Sequence, residues 1–364
     1  MSMFITVLAI LLILIVIFQI AKASEYVSVL KGEDKAFKQN NKINGALMIV
    51  FLILGLIGVF WCNHELYPKT LFPQGSSSVE GEHVDQLLKI TILLTGIVFF
   101  VTQIMLFWFS YKYQYKDDRK AYFFSHSNKL EFVWTAVPTI VLLILIVYGL
   151  RSWFLFTGDA PKNAMQIEVT GHQFGWIFRY PGKDGEFGKK YFKDINATNE
   201  LGLIWKDSAE LSQKADPAAY DDIVIDGTVY LVKDRPVRFI INSQDVIHDV
   251  GLPQFRMKMD AVPGTPTTLW FTPKYTTDEM KKRTGNPNFV YELSCDQLCG
   301  QGHWSMRAVI EVLTQAEFDA KMATFKPAYF AAFPAKDPDN AKPAADSTKM
   351  LAPAADSAKK VAKN

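Results

Sequence analysis

Twelve consecutive residues, Cys295-Asp-Gln-Leu-Cys299-Gly-Gln-Gly-His303-Trp-Ser-Met306, bring together two thiols, an imidazole and a thioether. The set is chemically soft. Thiolate and thioether ligands select copper(I), zinc or iron–sulfur, and an imidazole narrows the choice to copper or zinc. Met306 tips the balance to copper, because electron-transfer copper uses a thioether as a weak axial ligand. A second imidazole comes from His248 in Ser243-Gln-Asp-Val-Ile-His248, read as a loop residue just after a strand. Gly300 and Gly302 give the backbone freedom to fold the ligands inward. Two cysteines, two histidines and one methionine suit two copper ions better than one. Two bridging sulfurs would spread a single electron over the pair with little change of geometry, and the chemistry implied is electron transfer.

Simpler readings stand beside this one. The cysteines could form a disulfide, although three intervening residues make a cramped loop and leave His303 and Met306 unexplained. Zinc on Cys295, Cys299, His303 and His248 is the structural alternative. Taken singly, Met306 would be core filler and His248 an ordinary loop residue.

The elements that position these ligands follow from pattern. Gln166–Thr170, Ile223–Ile225, Val229–Val232, Val237–Ile241, Thr267–Phe271, Phe289–Leu293 and Ala308–Val312 are short β-rich runs divided by Gly, Pro, Asn and Asp. Such a series predicts an all-β sandwich or barrel over residues 160–313. Residues 182–222 read as a polar surface insertion. Thr314-x-x-Glu317 is a capping box opening a short helix over 314–330. Residues 331–364, rich in Ala, Lys, Pro and Asp, lack the apolar groups to repay ordering and predict a disordered tail.

The first 160 residues are of another kind. Apolar stretches at about 3–21, 44–62, 88–109 and 132–150 each approach the ~20 residues a spanning helix needs. They group as two additional helices in 1–65 and a helical hairpin in 86–155. The first could instead be a cleaved signal ending at Ala21-Lys22-Ala23, but no basic residue precedes it and its apolar part is long, so a retained helix is expected. Connections 22–43 and 111–131 each carry five Lys or Arg, whereas 63–87 holds Glu65, Glu80, Glu82 and Asp85 against Lys69. The positive-inside rule puts the basic connections in the cytoplasm. Both termini and the β domain then lie on the periplasmic side of a bacterial inner membrane. A formal net charge of +2 argues against a nucleic-acid partner. Cys62 reads as an inert thiol at a helix end.

The pattern over most of 88–313 resembles subunit II of the haem–copper cytochrome c oxidases. That resemblance implies a membrane anchor followed by a cupredoxin-like, Greek-key β barrel carrying a dinuclear copper centre, CuA. By analogy Cys295 and Cys299 bridge the ions, His248 and His303 cap one each, and Met306 and the carbonyl of Gln297 are axial. Pro253, Lys258 and Asp260-Ala-Val-Pro263-Gly264 fall at the family's intervals. Lys129-Leu-Glu131-Phe-Val-Trp134-Thr-Ala-Val-Pro138 resembles the start of the family's second helix. Glu131 there implies the mouth of a proton path into subunit I; the plainer reading is a carboxylate at a helix start. Phe174 and Trp176, in Gly171-His-Gln-Phe174-Gly-Trp176, resemble the family's aromatic electron-entry segment, although Phe174 stands where the family commonly has Trp; the plainer reading is two ordinary packing aromatics. Asp245 fits a donor-docking position, while Arg179 stands where a docking acid often sits. The family's magnesium, shared with subunit I, takes a glutamate between the two cysteines. Gln297 supplies no carboxylate, which argues against that contact.

The function implied is that of subunit II of a proton-pumping oxidase. Electrons from a c-type cytochrome, free or tethered in a respiratory supercomplex, would pass through CuA to haem and copper in subunit I, where oxygen is reduced. No catalytic residue is expected in this chain, and the chain has no Cys-x-x-Cys-His motif for a haem of its own. The other readings are a membrane-anchored copper-delivery protein, a quinol-oxidase subunit II without copper, and a CuA subunit of a nitric oxide reductase. Retention of five side-chain ligands speaks against the quinol oxidase.

Overall fold

A computed structural model describes residues 2–207 and 214–338, in two units. Most of the tail expected to be disordered, residues 339–364, lies outside the described residues.

The helical unit holds α1 (Ser2–Lys31), α2 (Glu33–Leu66), α3 (Gly81–Lys112) and α4 (Asn128–Thr157). All four are long and apolar enough to cross a membrane. The basic stretch 22–43, expected as a loop, is instead helical on both sides of Gly32, whose φ of 83° makes the break. Its Lys, Glu, Gln and Ala are strong helix formers, and only glycine takes that backbone angle without strain. α2 runs antiparallel to α3 along an aromatic ladder. Phe51 meets Phe107 at 5.3 Å, Phe60 stacks on Phe100 at 5.9 Å, and Phe37 meets Tyr115 edge-on at 5.3 Å. A Lys38–Asp117 ion pair and a 2.8 Å bond from Asn41 to the Tyr115 carbonyl close the basic end.

The second unit joins Ser76–Gly81 to the chain from Phe154 onward. Its strands are β1 (Met165–His172), β2 (Gly175–Tyr180), β3 (Ile223–Asp226), β4 (Thr228–Val232), β5 (Val237–Ser243), β6 (His248–Leu252), β7 (Met257–Ala261), β8 (Thr267–Phe271), β9 (Tyr291–Cys295) and β10 (Arg307–Leu313). They form two five-stranded sheets, ordered β3-β2-β1-β5-β8 and β4-β10-β9-β6-β7. β1 pairs in parallel with β5, and β10 with β4; the other pairings are antiparallel. Ile167, Val169, Phe178, Phe239, Ile241, Val250, Leu252, Leu293 and Ile310 are buried as the core. The all-β expectation holds. The strand read at Phe289–Leu293 sits two residues later, and β2, β6 and β7 were not anticipated. Charged and glycine positions in His248-Asp-Val-Gly-Leu252 and Met257-Lys-Met-Asp-Ala261 disguise their alternation, which pairing across the sheet overrides.

Ser76–Glu80 is stitched into this unit. Ser77 N–H donates to the Gln254 carbonyl at 2.8 Å, and Val79 N–H to the Thr272 carbonyl at 3.0 Å. Ser78 Oγ donates to the Phe255 carbonyl at 2.6 Å. The Glu80 carboxylate accepts from Thr272 N–H at 2.7 Å and from its hydroxyl at 3.1 Å.

Three boundaries change. Residues 182–222 are not a bare surface flap: Leu201, Leu203, Trp205 and Ala219 bury against Tyr329. The single helix expected over 314–330 is two, α6 (Gln315–Met322) and α7 (Ala328–Ala332), after a short α5 (Thr277–Thr284) earlier in the chain. Residues 331–338 belong to the folded unit, with Asp337 buried and 2.7 Å from Lys326. The capping box at Thr314 and Glu317 forms as expected.

Candidate metal centre

β6 begins at His248 and β9 ends at Cys295, and the pairing of Val250 with Cys295 sets those two candidate ligands side by side. The loop from Cys295 to β10 carries the rest. Cys295 and Cys299 are free thiols with sulfurs 3.8 Å apart, far beyond a disulfide bond. His248 Nδ1 lies 3.8 Å from Cys295 Sγ, and His303 Nδ1 lies 3.7 Å from Cys299 Sγ. Met306 Sδ approaches Cys299 Sγ to 3.7 Å, while the Gln297 carbonyl approaches Cys295 Sγ to 3.2 Å. Each sulfur thus has one imidazole and one further donor. The sequence-predicted ligands converge.

Burial raises the cost of ionising the two thiols. His248, Cys295, Cys299 and Met306 are all buried. Burial and the adjoining Cys295 thiol push Cys299 up to about 11. A bound metal reverses that penalty by deprotonating its thiols outright. The site holds sulfur, imidazole, thioether and one carbonyl, a donor set that fits copper.

The surroundings fix the ligands. Asp245 Oδ1 is 2.7 Å from His248 Nε2, and Asp245 Oδ2 accepts from Gln173 N–H at 2.7 Å. Burial raises the Asp245 carboxyl, but the bonds from His248, Gln173 N–H and Val246 N–H outweigh it and hold the group below its ordinary value. The Gln173 side chain donates to the Cys299 carbonyl. The Phe174 ring covers the ligand loop so closely that a Cβ on Gly302 would lie 2.5 Å from it. At Gly300, φ is 133° and a Cβ would meet Gln173 at 2.9 Å. Close approach of the β1–β2 turn is therefore why both positions are glycine. Gln173 escaped sequence reasoning because its contacts to Asp245 and the Cys299 carbonyl cross more than 70 residues of chain. The orienting role of Asp245 was missed although it lies only three residues before His248, and an acid at that spacing from a candidate ligand imidazole was the signal that could have found it.

The remaining predicted residues fall as follows. Phe174 is 41% exposed, whereas Trp176 is wholly buried with its ring 5.9 Å from that of His248. Arg179 is buried too: it meets Glu168 at 2.6 Å, Asp222 at 3.0 Å and the Gly188 carbonyl at 2.7 Å, so it faces no docking surface. Burial, partly offset by Arg179, pushes Asp222 up to about 6. Glu131 sits in the first turn of α4 and accepts Ser127 N–H at 3.2 Å, as a helix-start carboxylate does. Cys62 is an exposed thiol in α2.

Comparisons with known proteins agree in direction. The family model for the transmembrane domain of cytochrome c oxidase subunit II matches residues 66–152, and that for its periplasmic domain matches 165–313. An alternative cytochrome c oxidase subunit 2 of Bradyrhizobium diazoefficiens is 33% identical over 240 residues, 65% of this chain and 78% of that one. A probable cytochrome c oxidase subunit 2 of Rickettsia bellii is 30% identical over 255 residues, 69% and 82% of the two chains. The cytochrome c oxidase subunit 2 of Cereibacter sphaeroides is 27% identical over 235 residues, covering 64% and 72%.

Proposed function

Because the chain belongs to the cytochrome c oxidase subunit II family, we propose that Cys295, Cys299, His248, His303, Met306 and the Gln297 carbonyl hold two copper ions. The observation that carries this is the matched environment of the two sulfurs, each with its own imidazole and one further donor. Bound there, the copper pair would take up and release one electron at a time. The protein's part is to hold six donors rigidly and keep water from the sulfurs, so that little moves when charge arrives.

Phe174 is the surface through which a c-type cytochrome would deliver electrons, because its exposed ring rests on the ligand loop. Trp176 supports His248 from within. Asp245, with 32% of its side chain exposed, both orients His248 and offers negative charge to a cationic donor. Electrons would pass on to haem and copper of subunit I, the place of oxygen reduction. Glu131 would open a proton path into that partner from the cytoplasmic side, with the β domain and both termini in the periplasm of a bacterial inner membrane. Neither a copper-delivery protein nor a nitric oxide reductase gains support from the family match.

Metal analysis and EPR of the purified intact complex test the assignment. Two coppers per chain with a seven-line mixed-valence signal are expected from this subunit. A mononuclear signal, or zinc on the sulfurs, would overturn it.

A further inference from the structure

Asn196-Ala-Thr198 has the Asn-x-Ser/Thr spacing of an acceptor for asparagine-linked sugar, and that spacing occurs nowhere else in the sequence. It lies between β2 and β3, within the stretch matched by the periplasmic-domain family model. All three residues are exposed. They form the tip of a tight turn on a fixed stem. Asn196 N–H donates to the Asn199 carbonyl at 3.1 Å, and Asn199 N–H returns to the Asn196 carbonyl at 3.0 Å. The two reactive side chains already meet. Asn196 Oδ1 accepts from Thr198 Oγ1 at 2.8 Å and from Thr198 N–H at 3.0 Å. An asparagine in a turn commonly bonds the backbone two residues on; here the hydroxyl adds a second donor. Two donors on the amide oxygen draw electron density from Nδ2 and make its hydrogens easier to lose. Of those two hydrogens, the Asp194 carbonyl takes one at 2.9 Å. Asn199 is the contrast within the same turn. It is buried, its amide is tied to Leu203 at both ends at 2.8 Å, and Leu201 stands where a hydroxyl would be needed.

We propose that Asn196 is an N-glycosylation site, with a lipid-pyrophosphate-linked oligosaccharide as the sugar donor. Nδ2 attacks C1 of the first sugar. The C1–N bond forms as the C1–O bond to pyrophosphate breaks. The lipid pyrophosphate leaves with that bonding pair, and the Nδ2 proton passes to a base of the transferase. No oxidant or reductant takes part. Asp194, two residues before the acceptor, adds a carboxylate with which a basic side chain of that enzyme can pair. The sugar would add solvated bulk beside Phe192 and Ile195, which are 70% and 41% exposed. The proposal rests on the periplasmic placement of the β domain and does not depend on the copper assignment.

The test is mass spectrometry of the full chain, purified in its complex from the membranes of the source organism. Trypsin, cutting after Lys193 and Lys206, releases Asn196 and Thr198 in one peptide. Fragmentation that preserves sugar linkages then finds the modified residue. Copper content is measured on the same samples, so that failure of the metal assignment is seen separately. Wild type should carry a carbohydrate mass on Asn196. Asn196→Gln and Thr198→Ala should each lose it, while Thr198→Ser, which keeps the hydroxyl, should retain it. Because Thr198→Ala leaves the asparagine in place, its effect reports the hydroxyl and not the loss of the acceptor. An unmodified wild-type peptide, a sugar found on Thr198, or a mass that survives Asn196→Gln would overturn the proposal.

Discussion

Asp245 Oδ1 lies 2.7 Å from His248 Nε2, while the other ring nitrogen, Nδ1, faces Cys295 Sγ at 3.8 Å. The carboxylate therefore settles the tautomer: Nε2 carries the proton and Nδ1 keeps its lone pair for a metal. The same carboxylate takes Gln173 N–H from the β1–β2 turn, so one side chain couples a ligand to the turn that covers the ligand loop.

Asp245→Ala should accordingly lower copper affinity about 10- to 100-fold, the range seen when a ligand's supporting partner is lost. Competition with a copper chelator measures it. Unchanged affinity would mean that Gly171 and Trp176, which crowd the His248 ring, hold it without help.

Met306→Leu keeps the volume of a residue that is 1% exposed but removes the thioether. Copper should be retained, the EPR spectrum should change, and the reduction potential should rise, since a lost donor destabilises the more highly charged oxidised form. Redox titration of the purified complex decides this. A fall in potential would contradict a donor role for Met306.

Glu80→Ala leaves Thr272 N–H and its hydroxyl without their acceptor in a buried setting. The β domain should lose about 2 kcal/mol of stability, seen as a drop of roughly 4–8 °C in its melting transition. An unchanged transition would show that Ser76–Glu80 merely lies on the domain.

Asp222 yields a pH prediction with a definite sign. Its carboxyl is raised from an ordinary 3.8 to about 6 in the folded chain. Between those values the folded state binds more protons than the unfolded one, so this group's contribution to stability falls as pH rises through the window. Asp222→Asn should remove that fall. Melting temperatures of both proteins from pH 4 to pH 6 should converge or cross, and parallel curves would refute the account.

The candidate site was legible because most of its side chains are local in sequence: four possible donors occupy twelve positions, and their softness suggests copper before any fold is known. The spanning helices were legible for a similar reason, since apolar length is a local property. What remained hidden depends on distant pairing. Glu80 finds Thr272 across 192 residues, and Gln173 finds the Cys299 carbonyl across 126. Arg179 looked like a surface residue because nothing near it in sequence reveals Glu168 and Asp222 as its partners. Residues 182–222 looked polar because their few apolar side chains, Leu201, Leu203 and Trp205, find cover only from Tyr329 near the other end of the domain.

Ser76–Glu80 belongs by its hydrogen bonds to a domain whose other residues begin at Phe154. The domain is therefore discontinuous in the gene, and a soluble fragment cut at the end of α4 would be missing a piece of itself. The Gln254, Phe255 and Thr272 carbonyls would then lack their donors from Ser77, Ser78 and Val79. A synthetic peptide bearing Ser76–Glu80 should bind such a fragment and restore part of its stability, as in fragment complementation.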